Sequence, residues 1–69
     1  MARGIPTPTT LTAKQQDLVR IVRKEFGVRI EAYIVCVLAG YISDLSQLTE
    51  SQQKRIHDLG ERKGVTLPK

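Results

Sequence analysis

Few side chains in this 69-residue chain are able to do chemistry, and their spacing limits what that chemistry could be. There is one cysteine, Cys36, and one histidine, His57. A nucleophile needs a base and an orienting partner within hydrogen-bond reach. Cys36 lies in the apolar run Tyr33-Ile34-Val35-Cys36-Val37-Leu38 with neither within a helical turn, so it reads as a small buried hydrophobe. His57, beside Asp58 and Lys54, reads as a solvated surface side chain. No glycine-rich phosphate loop is present, and no cluster of ligands stands at metal-binding spacing. No catalytic residue, metal or cofactor is expected. A lone cysteine also excludes a disulfide framework and fits a reducing, cytoplasmic compartment.

The cations say more. Eleven Lys and Arg against seven Asp and Glu give a net charge of +4, a mild attraction to nucleic acid or to an acidic protein surface. On a helix beginning at Thr12, Arg20, Arg23 and Lys24 stand opposite the apolar face, with Asp17 the nearby acid. Arg29 follows just past Gly27. These four are the leading candidates for contact with phosphates or with acidic protein groups. The alternative is a solvated face whose cations complement the helix C-terminus. Further on, Glu50–Lys54, Lys54–Asp58 and Asp58–Arg62 are spaced i,i+4, so much of that charge is neutralised internally. Arg55 and Arg62 remain together on one flank as second candidates.

The elements that must position these groups read as three helices, near 12–26, 30–44 and 50–63, an all-α domain over 11–66. Residues 1–10 are expected to form a disordered, flexible arm, because Gly4, Pro6 and Pro8 interrupt any helix, and residues 67–69 a tail. That opening is not an apolar leader, so no signal peptide is expected. Thr12 and Gln15 form a capping-box pattern, and Leu11, Leu18, Val22 and Phe26 share one face. Gly27 is expected to stop this helix, with Val28 folding back onto Val22. The punctuation recurs 37 residues on, with Leu48-Thr49-x-x-Gln52-Gln53 matching Leu11-Thr12-x-x-Gln15-Gln16 and Gly64-Val65 matching Gly27-Val28. The interiors differ, so shared capping chemistry explains the match as well as a duplication would.

The middle segment is rich in β-branched residues, which favours a strand. Yet Ile30, Tyr33, Ile34, Val37, Leu38, Tyr41, Ile42 and Leu45 fit a helical face, alternation fails, and no second strand-like run exists to pair with it. A helix is expected, apolar on nearly every side and therefore lying between the other two. The run Ala32–Ile42 is too short to span a membrane. Ala32, Cys36, Ala39, Gly40 and Ser43 form a strip of small residues, suited to docking a helix of the same chain or to homo-oligomer contact. In the third helix only Ile56 and Leu59 mark an inner face, helped by Leu48 and Val65.

The ordered residues resemble a short helical module of phage regulatory proteins of the GemA type and related phage recombination accessories. The resemblance covers roughly residues 11–64. It rests on the glutamine-bearing first helix closed by Gly27-Val28, on Tyr33 and Gly40-Tyr41-Ile42, and on Leu48-Thr49-x-x-Gln52 and Ile56-x-x-Leu59. The family's acidic turn after the first helix is replaced here by Arg29. The resemblance implies a phage-encoded, non-catalytic regulator of transcription or DNA transactions and carries over no catalytic residue.

The expectation is a small non-catalytic regulator that binds a protein of the transcription or DNA-processing machinery, for example host RNA polymerase, and alters it by occupancy. Direct, weakly sequence-specific DNA binding and a homo-oligomeric structural role are the alternatives. A helix-turn-helix around Gly27 fits poorly. Arg23 stands where a small residue packs, and the following helix offers Ile34, Val35, Val37 and Leu38 instead of base-reading groups.

Overall fold

The computed structural model describes residues 11–68, and the expected arm at residues 1–10 lies outside them. Three helices follow in order, α1 (Ala13–Phe26), α2 (Val28–Leu38) and α3 (Glu50–Lys63), with no strand among the described residues. The β-branched middle segment is helical, because the buried face of Ile34 and Val37 follows the 3.6-residue period.

The repeated punctuation folds into the same cap twice. The Thr12 hydroxyl accepts from the Gln15 amide at 3.1 Å, while the Thr12 amide donates to Gln15 Oε1 at 2.8 Å. Thr49 and Gln52 repeat both bonds at 3.1 and 3.0 Å. The second glutamine of each pair also recurs, with Gln16 donating to the Leu11 carbonyl and Gln53 to that of Leu48. Each cap therefore satisfies orphan groups on both sides of the helix start.

The helix ends differ. At Gly64 the chain turns left-handed, and Val65 donates back to the Gly60 carbonyl, burying its side chain. Gly27 does something else. Its amide closes α1 on the Arg23 carbonyl and its own carbonyl accepts from Glu31, opening α2. At φ 98°, ψ 174° it occupies a region open essentially to glycine alone. One residue thus joins two helices, and Val28, expected to fold back onto Val22, instead starts α2 and is 59% exposed.

α2 also ends earlier than the expected 44. Gly40, at φ 90°, donates to Val37, and Tyr41 donates to Cys36, which is the hydrogen-bond pattern of a Schellman stop. The apolar period continues past this point, because Leu45 and Leu48 still reach the core from the linker. The linker is held by the Tyr33 hydroxyl, which donates to the Asp44 carbonyl at 2.8 Å. The Asp44 carboxylate in turn accepts from the amide and hydroxyl of Ser46, which hold its pKa below the ordinary range.

The central element is α1, not the expected middle helix. It packs on both others, whereas no Cα of α2 comes within 8 Å of one in α3. The core is Leu18, Val22, Ile34, Val37, Leu45, Leu48, Ile56, Leu59, Val65 and Leu67. Leu67, expected in a tail, belongs to it. The reason is Gly60, where a methyl group would sit 3.1 Å from Leu67 Cδ1 and 2.9 Å from the Val65 carbonyl oxygen. Only glycine there lets the C-terminal segment cross α3 so closely.

Candidate functional site

α1 and α3 run antiparallel, as two contacts at opposite ends show. Near one end Glu25 of α1 meets Arg55 of α3, and at the other Lys14 lies against Gly64. The Arg55 guanidinium is bidentate, with Nε 2.7 Å from Glu25 Oε2 and Nη2 3.1 Å from Oε1. Its Nη1 also reaches Asp58 at 3.3 Å, and Arg62 reaches the same Asp58 oxygen at 3.4 Å. A chain of alternating charge, Glu25–Arg55–Asp58–Arg62, therefore follows the α1–α3 seam. The hydrogen bonds from Arg55 hold the Glu25 carboxyl below its ordinary pKa against an opposing effect of desolvation, and Glu25 raises that of Arg55.

Beside this chain, Asp17, Arg20, Ile21, Lys24 and Lys63 line a shallow groove of about 310 Å³. Arg20 pairs with Asp17 at 3.3 Å. Lys24 and Lys63 make no ion pair among the described residues. Neither does Lys14, whose chain lies along the C-terminal end of α3, where a cation complements the helix dipole. The seam as a whole gathers six cations, Lys14, Arg20, Lys24, Arg55, Arg62 and Lys63, around three carboxylates, Asp17, Glu25 and Asp58.

The structure divides the six cations read from sequence. Arg20, Lys24, Arg55 and Arg62 come together on the seam. Arg23 and Arg29 do not. Arg23 points toward α2, 3.9 Å from Glu31, and Arg29 lines a separate groove between α2 and the start of α3. Arg55 is also tied more firmly than the charge pattern of its own helix implied, because Glu25 is a tertiary partner 30 residues away. Lys14 and Lys63 were missed. Their signal was positional, since both fall in terminal turns that only the antiparallel pairing brings onto one face.

No residue of the small-residue strip is buried in the core. Ala32 is exposed, Cys36 and Ala39 are half-buried, and Gly40 and Ser43 lie beyond the end of α2. Cys36, expected deep in the core, is on this outer side. Val28, Ala32, Val35 and Ala39, spaced four, three and four residues apart, line the side of α2 opposite buried Ile34 and Val37. Among the described residues no three metal-capable side chains come together, and no helix is long and apolar enough to cross a membrane. Compared with protein-family models, curated proteins and solved structures, the chain matches none.

Proposed function

We propose that this chain is a small, non-catalytic regulatory domain of the phage type. It docks its α1–α3 seam on an acidic protein surface in the transcription or DNA-processing machinery, host RNA polymerase being one example. It changes that machine's activity by occupancy, within the cytoplasm of the host cell. The observation that carries this reading is the segregation of charge. Six cations share the seam, whereas the remaining described cations, Arg23, Arg29 and Lys54, are outnumbered by Glu31, Asp44, Glu50 and Glu61. A protein partner is favoured over a DNA duplex because Asp17, Glu25 and Asp58 are interleaved with the cations. Carboxylates there repel phosphates but can pair with basic groups of a protein. The resemblance to phage regulators of the GemA type points the same way.

The test is capture from lysate of the source cell by wild type and by an Arg20→Gln, Lys24→Gln, Lys63→Gln variant, followed by titration of the captured component at two salt concentrations. The expected result is weaker binding by the variant, most at low salt, with negligible binding of naked duplex DNA by either form. Tight, steeply salt-dependent binding of naked DNA would instead establish direct DNA binding. The partly exposed apolar strip Val28, Ala32, Val35 and Ala39 favours a second reading, a homo-oligomer. Light scattering that finds a monomer across the working concentration range removes it.

A further inference from the structure

α1 and α2 meet at a single residue, and the helical hydrogen-bond register does not break there. The Gly27 amide donates to the Arg23 carbonyl at 2.9 Å, and the Gly27 carbonyl accepts from the Glu31 amide at 3.1 Å. Both bonds run from i to i−4, as inside a continuous helix. What interrupts the helix is the backbone of Gly27 alone, at φ 98°, ψ 174°. Thr12 and Thr49 cap the other two helices with a side chain, whereas Gly27 brings none to the first turn of α2. Turning this one residue to helical angles joins α1 and α2 into one helix from Ala13 to Leu38. The amides of Val28, Arg29 and Ile30 then gain the carbonyls of Lys24, Glu25 and Phe26 as partners.

Opening at Gly27 takes α1 off its neighbours, and the helix order identifies what refills the gap. α2 and α3 both pack on α1 and not on each other. An opened chain therefore lacks one thing, an α1 at its centre with the core residues Leu18 and Val22. A second opened chain supplies that helix and receives one in return. The exchange is two-fold and closed, so the core is rebuilt twice with no open end. We propose that Gly27 is a domain-swap hinge, and that the partner it admits is a second copy of this chain. A short connection held in a strained conformation is where such exchange is invited. The swapped dimer remakes the Glu25–Arg55 contact between chains, and so carries two complete α1–α3 seams on one particle. The proposal does not rest on what the seam binds, because its test reads size and chain exchange.

The test replaces Gly27 in the full chain by alanine of either hand. Gly27→Ala meets nothing within 4 Å, so only the backbone angles oppose it in the closed form, and helical angles release it. Each hinge released is worth about tenfold, so the dimerisation constant should rise about a hundredfold over wild type. D-alanine at position 27, introduced by chemical synthesis, takes the closed angles as the mirror image of ordinary extended backbone and should stay monomeric. Light scattering over a concentration series measures both chains. In a mixture of isotope-labelled and unlabelled Gly27→Ala chains, filtered NMR should show contacts between α1 methyls of one chain and α3 methyls of the other. A Gly27→Ala chain that is monomeric at every concentration, folded or unfolded, overturns the proposal. So does equal dimerisation of the D-alanine chain, or a dimer without α1–α3 contacts between chains.

Discussion

Arg55 of α3 holds both carboxylate oxygens of Glu25 in α1, at 2.7 and 3.1 Å, and is the one ion pair that links those two helices. A planar fork makes two parallel bonds where an ammonium acts as a point charge. Arg55→Lys should therefore let the Glu25 carboxyl rise back toward its ordinary value of 4.5. An NMR titration of the Glu25 side chain checks this, and an unchanged midpoint would mean that the fork is not what holds it down. The sign for stability follows from the same shift. A group whose pKa is lowered by folding stabilises fully above its unfolded value and loses that contribution as pH falls through the lowered one. Wild type should lose stability below about pH 4.5 more steeply than Glu25→Gln, as acid denaturation monitored by circular dichroism will show.

Gly27 and Gly60 should both resist alanine, for different reasons. At Gly27 a methyl group meets open space, but the backbone conformation is closed to other residues, at a cost of about 1–3 kcal/mol. At Gly60 the backbone is helical, and alanine would ordinarily gain up to ~1 kcal/mol. The Val65 carbonyl 2.9 Å away reverses that, with overpacking of about 1–3 kcal/mol. Leu67→Ala in the Gly60→Ala background relieves only the contact with Leu67, so it should not restore wild-type stability. Urea midpoints distinguish these outcomes; a stabilised Gly60→Ala would show that Val65 does not cross α3 this closely.

Thr12→Ala and Thr49→Ala should each cost about 1 kcal/mol, the usual cost of losing an N-cap. Because α1 and α3 are antiparallel, the two caps sit at opposite ends of the pair, and the double variant should be additive within about 0.5 kcal/mol. Thermal melts of the three variants measure this.

Within α2 the aliphatic residues Ile34 and Leu38 should part company. Ile34 is fully buried and Leu38 only partly so. Ile34→Ala should cost about 2–5 kcal/mol, enough to unfold much of a domain this small at 37 °C, and Leu38→Ala clearly less. Equal losses in chemical denaturation would mean that the outer side of α2 is as well packed as the inner.

What was legible in the sequence was local chemistry. The two threonine caps, the helical period through the β-branched middle segment and the inner face of Ile56 and Leu59 all depend on neighbours within a turn or two. Pairing between distant elements was not legible. Gly40 read as one more small residue because the apolar period ran on to Leu45, although the chain had already left the helix. Helix order failed for a related reason: an all-round apolar helix reads as central, yet α1 holds the centre with only a stripe of apolar residues. The cation patch was half-legible. Arg20 and Lys24 share a turn of one helix, but Lys63, Arg62 and Arg55 join them only once α3 lies antiparallel on α1.

The central claim is that the seam, and not net charge alone, engages an anionic partner. Its most direct test compares two variants of equal charge. One carries Lys14→Gln, Lys24→Gln and Lys63→Gln on the seam; the other carries Arg23→Gln, Arg29→Gln and Lys54→Gln away from it. The measurement is the salt dependence of binding to poly-L-glutamate, a carboxylate-rich polypeptide that stands in for an acidic protein surface. The seam variant should bind more weakly, most at low salt, with the other variant close to wild type. Equal losses in the two variants would contradict the account.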